Sequence, residues 1–250
     1  MLIKLCSWVG RNRVVVLVVS VVLSAGLGWL REGTGPDNDL AFAASTAILV
    51  GLFALALFAL QGYHPADLEV RPQEPAFVNL PHAGQVLISA AYTAFGGANS
   101  VGLLFDDALT SRLTGVFVAL WVVVLALSWW LVFRDQGVRV RPTGIEDRQG
   151  FGTLFVPWVA FTGVAHPAFA NGRDKVALTF AAAGPEPIRK TGWRPAGYRS
   201  ALPSTALDSR FLAFLIHEYA HHPEHRAAIG TEAEWERLTT EWKNRSPMQS

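Results

Sequence analysis

The chain has 250 residues, of which 51% are hydrophobic and only 16% are charged. Soluble domains carry about 25% charged residues, so this composition excludes a chain that is water-soluble throughout. The net charge of +1 gives no general attraction to nucleic acid, and the single cysteine, Cys6, excludes an intramolecular disulfide or a thiolate zinc cluster.

Four apolar runs occupy the first half of the chain and predict membrane-spanning helices, because each approaches the length that a helix needs to cross the hydrocarbon. The second run holds no charged residue and is the clearest. The third is diluted by small and polar residues of the kind that pack inside helix bundles. The first also has the features of a signal peptide, but we interpret it as an uncleaved span. The predicted spans are residues 14–30, 41–60, 85–105 and 113–133.

The basic residues predict how these spans are oriented, because loops rich in Lys and Arg face the cytoplasm. The loops on one side hold Arg31 and Arg112 against five acidic residues. The loops on the other side are the basic ones, with Lys4, Arg11, Arg13, Arg71, Arg134, Arg139, Arg141 and Arg148. We therefore predict a multi-pass protein of the plasma (inner) membrane, with the amino terminus and the carboxy-terminal domain in the cytoplasm.

Strands are predicted after the last span. Val138 and Val140 alternate with arginines, which indicates a half-buried strand. Further strands are predicted at 145–148, 153–156, 159–164 and 176–180. The earlier segment 61–84 is spaced by prolines that rule out a continuous helix, and we expect it to be a polar connection.

Helices are predicted at the end of the chain. Asp208 caps a helix that ends before Pro223, because the residue before a proline disfavours the helical conformation. Pro223 can itself open a short second helix. Thr231 and Glu234 have the spacing of a capping box and predict a last helix over 232–243.

The residues His217, Glu218 and His221 match the pattern H-E-x-x-H. On a helix the two histidines share a face and can bind zinc, while the glutamate can act as general base toward a metal-bound water. Glu241 is a candidate third ligand. The apolar stripe of this helix, however, leaves His217 on a face turned to water. We interpret the histidines as a polar surface face, with a membrane-bound zinc metallopeptidase as the alternative.

A second candidate site is a basic and aromatic segment, which contains Arg189, Lys190, Arg194 and Arg199. Such residues attract anionic headgroups when they lie near a cytoplasmic membrane surface. Contact with nucleic acid is the weaker expectation for a domain tethered beside lipid. The simplest interpretation is a solvated loop, and an anionic-lipid-binding regulator is the second alternative function.

The stretch VRVRPTGIEDRQGFGTLFVPW, residues 138–158, contains a hairpin turning at residues 143–145 and a strand that ends in Pro157 and Trp158. It resembles the opening of bacterial pleckstrin-homology-like (PH-like) domains. The run FLAFLIHEYAHHPEHRAAIGTEAEWERL resembles the tail of actinobacterial membrane proteins with such a domain. The matching residues are Tyr219, His222, Pro223, Glu224, Arg226, Ile229, Gly230 and Thr231. The resemblance implies an antiparallel sheet closed by a carboxy-terminal helix behind several spans, and it carries over no catalytic or binding residues.

These observations predict an α-helical transmembrane bundle of four spans in residues 1–133 and a small α+β PH-like domain in residues 134–250. The predicted function is a non-catalytic interaction or scaffolding module that needs no cofactor. Its predicted partners are the lipid bilayer and a further protein, but not nucleic acid.

Overall fold

In a computed structural model of the chain, the described residues are 2–33, 39–105, 112–134, 136–172, 175–181, 188–193, 201–203 and 207–245. They divide into two compact units. The helical unit comprises Met1–Tyr63 and Pro81–Arg134, and the sheet unit comprises His64–Leu80 and Asp135–Ser250.

The described part of the helical unit contains α1 (Leu2–Arg11), α2 (Arg13–Gly33), α3 (Asp39–Gly62), α4 (Ala83–Phe105) and α5 (Arg112–Phe133). Two stretches are long and apolar enough to cross a membrane by length and composition, Arg13–Leu30 in α2 and Ala43–Gly62 in α3. A shorter apolar stretch, Val118–Phe133, lies in α5. The runs predicted as the third and fourth spans are thus helical, and their crossing of a membrane stays a prediction.

Small and polar residues let α4 pack closely against α5. A side chain placed at Gly96 would overlap the indole ring of Trp121. The indole N–H of Trp129 donates to the hydroxyl of Thr93 at 2.8 Å. This contact satisfies two polar groups inside the unit, as expected for the diluted third run.

The main antiparallel sheet of the sheet unit has the order β1-β2-β3-β4-β5-β8. Its strands are β1 (Leu68–Arg71), β2 (Ala76–Asn79), β3 (Gly137–Arg141), β4 (Gly144–Arg148), β5 (Gly152–Pro157) and β8 (Arg189–Gly192). The predicted strands at 138–141, 145–148 and 153–156 are therefore confirmed. Valines and leucines from alternate positions, such as Val138, Val140 and Leu154, face one buried core.

The first two strands of this sheet come from the segment between α3 and α4, which the sequence predicted as a polar connection within residues 1–133. This prediction was wrong, and the domain boundary at 133/134 has to be corrected by adding His64–Leu80 to the sheet unit. Pro72 and Pro75 exclude a helix, as expected, but they lie in the turn of a β-hairpin. Phe77 of β2 is fully buried in the core and contacts Trp235 at 5.5 Å between ring centroids.

The strand register places the ends of several strands at one end of the main sheet. Leu68 pairs with Asn79, Gly137 with Arg148, and Gly152 with Gly192. The start of β1, the end of β2 and the start of β3 therefore lie at the same end of the sheet, which we call the connected end because the chain there continues to α3, α4 and α5. The β3–β4 turn at Pro142 and Thr143 lies at the opposite, far end.

A second antiparallel sheet has the order β6-β7-β9, with β6 (Ala168–Ala170), β7 (Lys175–Leu178) and β9 (Ala201–Pro203). β7 confirms the strand predicted at 176–180. The strand predicted at 159–164 is wrong, because Trp158–Phe161 forms a 3₁₀ helix. Trp158 and Phe161, three residues apart, both enter the core, a spacing that a single strand face cannot provide.

The terminal helices close the core. In α6 (Ser209–His221) the carboxylate of Asp208 accepts hydrogen bonds from two backbone N–H groups, as predicted for a cap. A 3₁₀ helix, Pro223–Ala228, leads to α7 (Glu232–Arg245). The hydroxyl of Thr231 accepts from the backbone N–H of Glu234 at 3.3 Å, which is half of the predicted capping box. The apolar stripe of α6 is buried, with Phe211, Leu212, Leu215, Ile216 and Tyr219 fully inside the core.

Candidate functional site

Helix α6 brings the two histidines of the H-E-x-x-H pattern side by side. The ring centroids of His217 and His221 lie 4.2 Å apart. The Nδ1–H of His221 donates to the backbone oxygen of His217 at 2.9 Å, so this nitrogen serves the helix itself. His221 is exposed and His217 is half-buried, in agreement with the polar face predicted for them.

Glu218 points away from these histidines into the sheet unit and is almost completely buried. Its carboxylate accepts hydrogen bonds from Arg237 at 2.9 Å and from Nδ1 of His225 at 3.0 Å. Burial on its own would raise the pKa of Glu218, but the hydrogen bonds from Arg237 and His225 outweigh it and hold the pKa below its usual value. Glu218 is therefore an ionised, doubly bonded anchor.

The guanidinium of Arg237 joins three carboxylates. Besides Glu218 it donates to both oxygens of Glu234, at 2.7 and 2.9 Å, and to Glu241 at 2.9 Å. The phenol of Tyr219 donates to Oε1 of Glu234 at 3.0 Å, the oxygen that Arg237 contacts at 2.7 Å. Together, Arg237, Glu218, Glu234, Glu241 and Tyr219 form what we call the Arg237 cluster.

The Arg237 cluster raises the pKa values of Arg237 and Tyr219. Hydrogen bonds to Glu234 and then to Glu218 raise the pKa of Arg237 despite its partial burial. Burial, with the carboxylate of Glu234 beside it, raises the pKa of Tyr219 well above its ordinary value. The phenol thus stays a hydrogen-bond donor and the guanidinium stays charged, so the cluster is a permanent link between α6 and α7.

In the alternative zinc set of His217, His221 and Glu241, the side chains of His221 and Glu241 are engaged elsewhere. Glu241 is bound by Arg237 and Arg245, and Glu218, the candidate general base, is bound by Arg237. Within the described ranges no group of three or more His, Cys, Asp or Glu side chains could hold a metal ion. The geometry offers two adjacent histidines beside a carboxylate–guanidinium network, which fits a zinc hydrolase poorly.

The surroundings of His217 favour its neutral form. Burial lowers the pKa of His217, and coulombic effects of His221, Arg245 and His166 lower it further. Glu218 acts in the opposite sense but more weakly. The neutral ring tolerates the partial burial of His217 on α6 better than a charged ring would.

The second candidate site lies on β8, the edge strand of the main sheet beside β5. Arg189 and Lys190 are both exposed, and neither makes an ion pair with a carboxylate in the part of the chain that the structure describes. The other two predicted members, Arg194 and Arg199, lie outside the described residues. The simplest prediction, a solvated loop, gives way to a short strand at 189–192.

Two aromatic side chains flank the end of β8. Trp193 follows the strand and is 68% exposed, and Phe151, in the β4–β5 turn, is 59% exposed. The backbone N–H of Trp193 donates to the carbonyl oxygen of Phe151 at 3.0 Å. These two residues form what we call the aromatic pair.

Comparison with protein-family models, with curated proteins and with solved structures gives no match for this chain. The functional conclusions therefore rest on its own geometry, and the PH-like resemblance stays a prediction.

Sequence reasoning missed most of the Arg237 cluster and the aromatic pair. Glu234 was read only as a capping residue, whereas its carboxylate is used by Tyr219 and Arg237. One feature of the sequence did indicate a buried ion pair. Glu218 is charged, yet it directly precedes Tyr219, which belongs to the buried apolar stripe of α6. Such a residue requires a cationic partner once its helix packs.

Proposed function

We propose that the protein is a multi-pass inner-membrane protein that presents a PH-like sheet domain in the cytoplasm as a non-catalytic interaction or scaffolding module. The proposal is carried by one observation: the main sheet is built from two segments of the chain that are separated by α4 and α5. Its strands β1 and β2 precede α4, and its strands β3 to β5 follow α5.

A single sheet cannot form across a bilayer, because strands on opposite sides could not pair. The hairpin between α3 and α4 and the chain after α5 must therefore lie on the same side of the membrane. Helices α4 and α5 then cross together or not at all, and their apolar sequences favour two crossings. This arrangement supports four spans with both β segments on one side.

The charge distribution supports the cytoplasm as that side. The sheet unit carries Arg71, Arg139, Arg141 and Arg148 within about 15–20 residues of a helix end in sequence, where basic residues favour cytoplasmic retention. The sequence between α4 and α5 instead contains Asp106 and Asp107.

The non-catalytic part of the proposal is supported by the Arg237 cluster. Its three carboxylates all accept hydrogen bonds from Arg237. A general base must instead be able to reach a proton of the substrate. A buried, fully bonded glutamate such as Glu218 stabilises the packing of α6 on α7.

Single-cysteine labelling of the full chain tests the topology. In a Cys6→Ser background, Glu69→Cys in β1 and Thr143→Cys in the β3–β4 turn should react with a membrane-impermeant maleimide only in inverted vesicles. Thr110→Cys, between α4 and α5, should react only in right-side-out cells. Labelling of Glu69→Cys and Thr143→Cys from opposite sides would overturn the shared-sheet arrangement.

Metal analysis tests the alternative of a zinc metallopeptidase. The full chain, purified and dialysed against trace zinc, should not retain the metal stoichiometrically. His222→Ala is a matched control because His222 lies outside the H-E-x-x-H pattern. Stoichiometric zinc that is lost in His217→Ala but kept in His222→Ala would contradict the scaffolding proposal.

A further inference from the structure

We propose that the aromatic pair, Phe151 and Trp193, contacts the anionic bilayer surface together with the basic side chains of Arg148 and Lys190. This inference rests on the proposed function, because it takes the bilayer to be the one that holds the apolar helices. In this proposal the sheet unit is tethered to the membrane by its helices and also contacts lipid through the connected end of the main sheet.

The aromatic pair lies at one end of the main sheet. Gly152 pairs with Gly192, so Phe151 and Trp193 stand just beyond the connected end. The chain leaves this end toward the apolar helices through short connections, residues 80–82 before α4 and residues 134–136 after α5. Both connections and the aromatic pair therefore lie at the connected end of the main sheet.

Both rings of the aromatic pair are exposed. In the described part of the sheet unit, the exposed large hydrophobic side chains are Phe151, Trp193 and Phe169. Two of these three belong to adjacent backbone segments at the connected end, whereas the other large apolar side chains described in that unit are buried or partly buried. Exposed aromatic residues that cluster in this way mark interaction surfaces.

Backbone contacts fix the positions of Phe151 and Trp193. Gly192 has a φ of +71°, and a side chain there would lie 2.1 Å from the carbonyl oxygen of Phe151. Glycine thus permits the end of β8 to approach the β4–β5 turn, and the Trp193 N–H···O bond closes the contact. The two rings are presented by backbone pairing, so little conformational freedom is lost on binding.

Basic side chains lie near the aromatic pair. Arg148, beside the turn, has a side chain that is 37% exposed, and it shares the carboxylate of Glu146 with Arg141. Lys190 and Arg189 add two more on β8 without an acidic partner among the described residues. Aromatic rings surrounded by cations suit the headgroup region, where tryptophan is enriched and basic residues attract anionic lipid.

Fluorescence quenching on the full chain in lipid nanodiscs tests this contact. In a Cys6→Ser background, Phe151→Cys and Trp193→Cys are labelled separately with an environment-sensitive dye, so that each variant keeps the other aromatic residue. Thr143→Cys, exposed at the far end of the same sheet, is the matched control. Lipids with a spin label near the headgroup are the quenchers, in nanodiscs with or without phosphatidylglycerol.

The expected result is quenching at positions 151 and 193 that exceeds quenching at 143 by about twofold or more in anionic nanodiscs, with a smaller excess in zwitterionic ones. Lys190→Glu with Arg189→Glu should weaken the contact about fivefold or more per charge removed. Because these side chains are exposed, the variants should fold, and an unchanged melting temperature checks this.

Equal quenching at the three positions would overturn the inference, as would a contact that is indifferent to both lipid charge and charge reversal. Extraction by alkaline carbonate separates this failure from failure of the proposed function. A chain that resists extraction but shows no excess quenching is a membrane protein without this contact. A chain that is extracted has no membrane anchor, and both proposals fall.

Discussion

The two units of the molecule treat their large apolar side chains in opposite ways. In the helical unit, valines such as Val18, Val22 and Val122 are more than half exposed. In the described part of the sheet unit, large apolar side chains other than Phe151, Phe169 and Trp193 are not exposed. The surface of the helical unit suits contact with hydrocarbon, and the surface of the sheet unit suits contact with water.

The units also neutralise polar groups differently. The helical unit pairs uncharged groups, such as the indole N–H of Trp129 and the hydroxyl of Thr93, which link α5 to α4. The sheet unit buries charge in the Arg237 cluster, where a guanidinium links two helices. The stability of the sheet unit should therefore respond to pH and to charge removal, whereas that of the helical unit should respond mainly to its lipid or detergent surroundings.

The largest effect should come from matched phenylalanine substitutions, one in each unit. Phe77→Ala removes a fully buried ring from β2 and should lower the free energy of unfolding by about 3–5 kcal/mol. Phe58→Ala, in α3, removes a ring that is 53% exposed and should change it by about 0.5 kcal/mol or less. Denaturant unfolding of the full chain in mild detergent measures both. Equal costs would erase the contrast between the units.

The next effect should come from the Arg237 cluster. Arg237→Met leaves Glu218 and Glu234 buried without their guanidinium and should cost about 2–3 kcal/mol, a value reduced for the partial exposure of Arg237. Arg245→Met removes a half-exposed partner of Glu241 and should cost less than about 1 kcal/mol. Thermal unfolding is the measurement. A neutral Arg237→Met would show that this cluster does not stabilise the packing of α6 on α7.

A smaller effect should come from Gly230, which follows the second 3₁₀ helix and lies against the β1–β2 turn. Its φ is +90°, and a side chain there would meet the backbone nitrogen of Ala76 at 2.5 Å. We expect Gly230→Ala to cost about 2 kcal/mol, and Gly163→Ala about 1 kcal/mol. Gly163 also has a positive φ but faces open space, so it isolates backbone strain. Equal losses in the two variants would mean that the hairpin turn yields without cost.

The smallest effect should be a pH dependence of the sheet unit. The pKa of Glu218 is lowered in the folded state, so the unfolded chain binds the proton first as pH falls below about 4.5 and stability declines there. The pKa of His217 is also lowered, so a first, shallower decline should begin below about 6.5. Melting temperatures from pH 8 to pH 3.5 should show both. Glu218→Gln should make the lower decline shallower, because Glu224 also has a lowered pKa and still contributes to it, and His217→Gln should remove the upper decline. Unchanged profiles would contradict the assignments.

Patterns of strong periodicity were predictable from the sequence. The apolar runs at 14–30 and 41–60 correspond to the apolar stretches of α2 and α3, and the Val138–Val140 alternation gave β3. Asp208 and Pro223 marked the ends of α6 because capping and proline effects are local.

The remaining elements lacked such local information. The strands β1 and β2 have four residues each and flank a turn with two prolines, so their pairing depends on strands that begin some sixty positions later. β8 is exposed on both faces, so it shows no apolar alternation. The bond between Glu218 and Arg237 joins two helices, and no spacing within either helix predicts it.

The divided origin of the main sheet has a consequence for biosynthesis. When the ribosome has produced β2, residues 80–136 must still be made before β3 exists. At about 5–20 residues per second this takes roughly 3 to 11 s, during which the hairpin with Phe77 has no partner strand. Strand β2 therefore keeps one side unpaired until β3 has been synthesised.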